Sequence, residues 1–236
     1  MAMNEAVNSQ GTAPGSSAGS IADSYKRDFW IKENLKHAEP HYRLQKTARL
    51  INRIADGRPC DLLDLGCGPA TLMRMLQDNI HYYGIDIAIH DLAPNLLEAD
   101  ILQAPIRFGD RRFDIVVAQG LFEYVGGFQA AKFAEIAQLL NEGGTFVVTY
   151  TNFGHRSKHV FEAFSNVQPF AAFRDSLSRY FTLKRVFPTS HNWYGGQPRR
   201  GLVKAANMHL NMNIPVLSPR LAVEYFFICS PRSAHD

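Results

Sequence analysis

Apolar residues change their spacing near residue 60. Before it, Leu44, Ala48, Ile51 and Ala55 recur every three or four positions, with Thr47 and Ile54 beside them. That period predicts a helix from about residue 41, with Pro40 near its start. An earlier helical pattern covers 21–35 and carries Tyr25, Phe29 and Trp30. From residue 60 onward short apolar runs alternate with helical patterns, and strands are predicted at 61–65, 82–87, 96–100, 113–118 and 145–150. Between them, helices are predicted at 70–77 and at 128–140, where Ala131, Ala134, Ile136 and Leu139 share a face. Asn141-Glu142-Gly143-Gly144 reads as the C-cap of the second. After a helical region at 159–179, further strands fall at 181–186 and 223–229. Runs apolar on both faces, alternating with helices, call for a largely parallel sheet covered on each side.

The first 20 residues are Gly, Ser, Ala and Asn with almost nothing to bury, so a disordered tail is expected there. The remainder, 21–236, is read as one domain. The chain has 236 residues and a net charge of +3, too mild a surplus to mark a nucleic-acid binder. Its three cysteines, Cys60, Cys67 and Cys229, are far apart and form no CxxC pair, which argues against a disulfide scaffold or a zinc knuckle, and no metal site is expected. With no membrane-length apolar run and no signal-like N-terminus, a cytoplasmic protein is expected.

The chemistry gathers at Asp64-Leu65-Gly66-Cys67-Gly68-Pro69-Ala70, between a strand and a helical pattern. Glycines there allow a tight turn and the close approach of a ligand beside N–H groups at a helix N-terminus. Asp86 ends the next strand, where a carboxylate can accept both hydroxyls of a ribose. A dinucleotide fingerprint wants Gly or Ala where this chain has Thr71. Asp64, two residues before the first glycine, would repel a pyrophosphate but suits an ammonium group.

DLGCGPA, GIDIA, EADI, FDIVVAQGLFEYV and LLNEGGTFVVTY, in that order over about 60–152, resemble the successive motifs of class I S-adenosylmethionine-dependent methyltransferases. The resemblance implies an α/β, Rossmann-like three-layer sandwich whose seven-stranded sheet is mostly parallel with an antiparallel last strand. It implies S-adenosylmethionine as cofactor. Gly66, Cys67 and Gly68 would line its methionine part with Asp64 near the amino group, and Asp86 with Ile87 would hold the ribose. Asp100 and Ile101 would meet the adenine, Gln119 would bound the site next to the sulfonium, and Tyr25 or Arg43 would bind the carboxylate. A nucleophilic reading of Cys67 has no adjacent base to support it. The bland alternatives are a helix cap for Asp86 and a surface acid before a turn for Asp100.

Methyl transfer is an in-line displacement from an activated donor, so positioning dominates and a base is needed only if the acceptor must lose a proton. Candidate bases lie at the carboxyl edge of the sheet: Glu123 and Tyr124, Asn152 and His155, and His191. In this topology the connection at 188–221 leaves at the same edge. It mixes Trp193, Tyr194, Met208, Leu210, Met212 and Ile214 with Arg199, Arg200, Lys204 and Arg220. A loop of that length is usually functional. It reads as a substrate lid, with 153–180 (Phe161, Phe164, Phe170, Phe173) as its neighbour, and the N-terminal helices (21–58) and the cofactor-binding core (60–152) make up the rest of the domain. Packing of an extra helix and peripheral membrane contact are the alternatives. A small apolar or aromatic acceptor is expected, with the protein a monomer or homodimer. RNA or membrane-lipid methylation and a non-catalytic cofactor-binding subunit are the rival functions. Against nucleic acid, Ala118-Gln119-Gly120-Leu121 is not the Asn/Asp-Pro-Pro-aromatic pattern of base-amino methylating enzymes.

Overall fold

A computed structural model describes residues 42–89, 91–153, 167–189 and 211–232. The expected tail, the 21–35 helix and Pro40 lie outside them. Helix α1 (Tyr42–Ala55) buries Ala48, Ile51 and Ala55, and Leu44 and Ile54 pack at the margin, as the stripe predicts. It ends where Asp56 and Gly57 turn left-handed.

Seven strands follow: β1 (Cys60–Leu65), β2 (Ile80–Asp86), β3 (Leu96–Glu98), β4 (Phe113–Ala118), β5 (Leu140–Thr151), β6 (Phe181–Pro188) and β7 (Glu224–Pro231). They form one sheet in the order β3-β2-β1-β4-β5-β7-β6. The first five pair in parallel, and β7 runs antiparallel to both neighbours, β5 and β6. The order reverses at β1 and β4, so ligands are expected in the crevice beyond their carboxyl ends. On one face Leu62, Ile115, Val117, Phe226 and Ile228 meet α1. On the other, Val116, Phe146, Val148, Tyr150 and Phe227 meet α2 (Gln129–Leu139) and α3 (Phe170–Leu177). Phe122 stacks on Phe133 at 4.7 Å, and Tyr150 lies on Phe173 at 3.8 Å and 3°. Helix α4 (Leu217–Leu221) leads into β7. Buried Lys46 of α1 donates to the carbonyls of Pro188 and Thr189, at 3.2 and 3.0 Å, where the chain leaves β6.

Three local expectations are corrected. The helix expected at 70–77 is a 3₁₀ turn, Thr71–Met75. Residues 66–79 join β1 to β2, but the glycine turn takes 66–70 and leaves nine residues for the crossing. A parallel crossover ordinarily needs a dozen residues or more, and a 3₁₀ turn rises about 2.0 Å per residue against 1.5 Å for an α-helix. The strand expected at 96–100 stops at Glu98, because Asp100 opens a turn. Asn141–Gly144 is no C-cap: α2 passes straight into β5, and these four residues stand opposite Asp114 alone, between the pairs Phe113–Leu140 and Ile115–Thr145. Asn141 Nδ2 donates to Asp114 Oδ1 at 2.7 Å, and Gly143 takes φ +73°. The glycine signal marks a bulge inside the strand.

Candidate active site

Leu65 is the last residue of β1, and the next few form a turn with unusual dihedrals. Gly66, Gly68 and Ala70 all have positive φ (73°, 52° and 51°), the region where a Cβ is disfavoured. The amides of Gly66 and Cys67 both donate to Ile85 O (2.8 and 3.3 Å), and that of Gly68 donates to Asp86 Oδ2 at 2.8 Å. These N–H groups are thus engaged by β2, and no α-helix N-terminus follows them. This corrects the expected row of N–H groups facing the ligand. The Cys67 side chain is buried and points at Gly84, where a Cβ would come within 2.8 Å of its sulfur. Burial pushes the Cys67 thiol far above its ordinary range, which removes the nucleophilic reading.

Two buried carboxylates flank the turn. Asp64 accepts the Tyr82 hydroxyl at 2.7 Å. Burial pushes its carboxyl up to about 7, the Tyr82 bond opposes that rise, and the Asp86 charge adds to it. Asp86 accepts Gly68 N through Oδ2 and Ala88 N through Oδ1 (3.0 Å), so its carboxylate is fixed against the turn; Ile87, between them, is half-buried. The region is electronegative and has its amides engaged, a poor seat for a diphosphate and a good one for a cation.

At the end of β4, Gln119 is half-buried, and its Nε2 is buried with no hydrogen-bond partner among the described residues. Gly120 donates to Thr149 Oγ1 at 2.9 Å. The Arg43 guanidinium lies over Gly120, 3.1 Å from where a Cβ would stand, and its Nη1 donates to Glu224 Oε1 at 2.9 Å. Glu224 and, more weakly, Glu123 hold the Arg43 pKa above its ordinary value. The expected carboxylate-binding role of Arg43 therefore competes with an internal ion pair, one invisible at a separation of 181 residues. Glu123 is buried; its Oε1 accepts Thr151 N and Oγ1 at 2.8 and 2.9 Å. Burial and the Glu224 charge push its carboxyl up to about 7. Among the candidate bases Glu123 thus ties the end of β4 to the end of β5, with Tyr124 half-buried beside it.

Beyond β3, Asp100 Oδ1 accepts Leu102 N at 2.9 Å, and its carbonyl accepts Gln103 N and Ala104 N. It is both half-buried at the sheet edge, beside Ile101, and the start of a turn. Sequence reasoning missed what holds this turn in place. Lys132 Nζ donates to Ala104 O (3.1 Å) and pairs with Glu135 (2.8 Å), whose Oε2 accepts Ile106 N at 2.8 Å. An (i, i+3) Lys–Glu pair on a helix reads as a solvated surface contact, so nothing in its pattern announces the clamp.

A cavity of about 510 Å³ opens on the β5–β7–β6 half of the same edge. Its lining includes Asn152 and Phe153 after β5, Phe170 and Arg174 of α3, Val186 of β6 and Tyr225 of β7. Pro169 and Ala171 from the 153–180 element, and Asn213 and Pro219 from the 188–221 element, also line it. Asn152 Nδ2 donates to Pro219 O and Ala222 O (3.0 and 3.1 Å), a structural use in place of base chemistry. Phe173, expected as a lid residue, is fully buried under Tyr150 and belongs to the core.

The profile of a methyltransferase-domain family matches residues 40–187. The chain belongs to the class I S-adenosylmethionine-dependent methyltransferases. A malonyl-[acyl-carrier protein] O-methyltransferase from Calditerrivibrio nitroreducens is 25% identical over 186 residues, covering 71% of this chain and 74% of its own. Among solved structures, the CcbJ methyltransferase from Streptomyces caelestis superposes with TM-score 0.60 at 15% identity, covering 92% of this chain and 98% of its own. The N-methyltransferase NodS from Bradyrhizobium japonicum, in complex with S-adenosyl-L-homocysteine, gives 0.53 at 14% identity, covering 82% and 90%. S-adenosylmethionine is the methyl donor.

In this methyltransferase Asp64, Gly66, Gly68, Asp86, Asp100 and Gln119 all fall at or just beyond the carboxyl ends of β1 to β4. Tyr25, His155 and His191 lie outside the described residues, as do Phe161, Phe164, Trp193, Tyr194, Arg199, Arg200, Lys204, Met208 and Leu210. Of the other lid residues, Met212 and Arg220 are exposed and Ile214 is half-buried. Among the described residues no three His, Cys, Asp or Glu side chains gather as a metal site, and no helix is long and apolar enough to cross a membrane.

Proposed function

We propose that this methyltransferase moves the methyl of S-adenosylmethionine to O, N or C of a small apolar or aromatic metabolite in the cytoplasm. The donor supplies a methyl already activated on a sulfonium. On this reading Gly66 and Gly68 line the methionine part, with the backbone of Cys67 between them. Asp64 faces the ammonium, Asp86 with Ile87 takes the ribose, and Asp100 with Ile101 takes the adenine. The buried Nε2 of Gln119, with no partner among the described residues, is the observation that carries the donor side: it is a polar atom held ready for a ligand acceptor. The engaged turn amides and the two carboxylates support an adenosyl cation over a diphosphate.

The acceptor side rests on the aromatic cavity beside β5 and β7. Holding an acceptor in line is worth about 7–11 kcal/mol in favourable cases, so a shaped chamber can supply most of the catalysis. Glu123 holds the ends of β4 and β5 in register and takes no proton from the acceptor. The test is release of S-adenosylhomocysteine, measured over a panel of small phenols, amines and carboxylic acids, with transfer RNA and anionic vesicles as the rival acceptors. Turnover confined to RNA or vesicles would refute the small-metabolite reading.

A further inference from the structure

We propose that the cavity beside β5, β6 and β7 is an acceptor chamber built for a carboxylic acid with an aromatic or acyl body, and that Arg174 receives the carboxylate. The proposal deepens the small-metabolite reading and rests on it. The first argument is position. Gly120, next to Gln119, is hydrogen-bonded to Thr149 of β5, so the tip of β4 and the end of β5 are adjacent. Tyr225 pairs with Tyr150 of β5 on one side and with Pro188 of β6 on the other. The chamber therefore spans one to three strand spacings, about 5–15 Å, from the tip of β4. An acceptor whose reacting atom sits over β4 can extend its body into the chamber, but only if that body is about one ring or a short acyl chain in length.

The second argument is chemistry. The walls are Phe153, Phe170, Val186 and Tyr225, with rings in contact (Phe170 and Tyr225 at 4.5 Å), and a volume of about 510 Å³ falls in the range of small-ligand sites. Among the described residues no acidic side chain lines the chamber, and Arg174 is its one cationic lining residue. The carboxylate beside Arg174 is Asp175, its chain neighbour, at 3.3 Å, and both are more than half exposed. Such exposed pairs hold little energy, so Asp175 does not saturate the guanidinium, and a ligand carboxylate can displace it with a bidentate bond. An aromatic-walled chamber with a cation in its lining selects an amphipathic anion over a neutral isostere.

The experiment uses the full chain saturated with S-adenosylhomocysteine, with cinnamate and 4-phenylbutyrate as acid probes and their primary amides as neutral controls. Ligand-observed NMR and calorimetry report binding. The acids are expected to bind about tenfold or more tighter than the amides. Arg174→Gln, at an exposed helix position, should erase that preference. Ala171→Trp, which fills the chamber from the same helix, should abolish binding of acids and amides alike. In both variants S-adenosylhomocysteine should bind within about twofold of the unmodified protein, since both residues belong to α3 and line the chamber beside β5, β6 and β7. Acids and amides binding equally, no probe binding at all, or Ala171→Trp retaining the acids would each overturn the proposal. Failure of S-adenosylhomocysteine to bind the unmodified protein would instead strike the donor-site reading, and the two failures are read from separate titrations.

Discussion

Replacing Asp64 by asparagine is the most informative single perturbation of the ligand-free protein. The buried carboxyl is pushed from 3.8 to about 7. Between those values the folded chain keeps a proton that the unfolded chain has released, so stability falls as pH rises, by about 1.4 kcal/mol per pH unit. From pH 5 to pH 8 the loss from this one group is about 2–3 kcal/mol, with the penalty complete above pH 8. For a chain of this size that corresponds to roughly 5–10 °C in melting temperature. A carboxamide at this position cannot ionise, and its oxygen can still accept the Tyr82 hydroxyl. The stability of Asp64→Asn relative to the unmodified protein should therefore rise by that amount between pH 5 and pH 8. Glu123, raised for similar reasons, gives a slope of the same sign in both proteins and cancels in the comparison. Urea and thermal melts at the two pH values provide the assay. Parallel pH dependences would show that burial does not raise the Asp64 carboxyl, and the penalty worked out here would fall.

Asp86→Asn should weaken S-adenosylhomocysteine by about 10- to 100-fold in calorimetry, because it replaces an acceptor held by two amides with a group that is half donor; unchanged affinity removes the ribose role. Gln119→Leu should stabilise the ligand-free protein by about 1–3 kcal/mol and reduce the thermal shift produced by S-adenosylhomocysteine, and an undiminished shift would contradict the role given to Nε2. Phe173→Ala should cost about 3–5 kcal/mol in urea melts, as expected for a core ring stacked on Tyr150 and not for a lid residue. Native Cys67 should resist iodoacetamide at pH 8 and react fully in urea, as read by mass spectrometry.

What the sequence revealed was mostly local. The stripe of α1, the β1–turn–β2 unit and the apolar strands β4 and β5 rest on periodicity and on residues a few positions apart, and they stand where expected. Asp64 and Asp86 stand at the ends of β1 and β2, where the motif placed them, and there each also makes a structural bond that the sequence did not announce, to Tyr82 and to the amides of Gly68 and Ala88. The helix expected after β1 failed because local periodicity cannot count the distance a crossover must span. Asn141–Gly144 misled because the same residues suit a C-cap and a bulge, and only the pairing with β4 distinguishes them. Contacts across long separations were silent: Arg43 with Glu224, Lys132 under the turn after β3, Phe173 beneath Tyr150. Phe170 and Phe173 lie on one helix with opposite fates, one lining the chamber and one in the core, because the direction of α3 over the sheet is fixed by tertiary packing.

The insertion of β7 between β5 and β6 sets a timetable for biogenesis. Phe146 pairs with Val116 of β4 on one side and finds its second sheet partner in Cys229, some 80 residues later. At ribosomal speeds of about 5–20 residues per second, that interval lasts about 4–16 s. Throughout it the nascent polypeptide presents an unzipped margin of Phe146, Val147 and Val148, so the enzyme's exposure to misassembly is concentrated in the seconds between the synthesis of β5 and that of β7, when chaperone capture matters most.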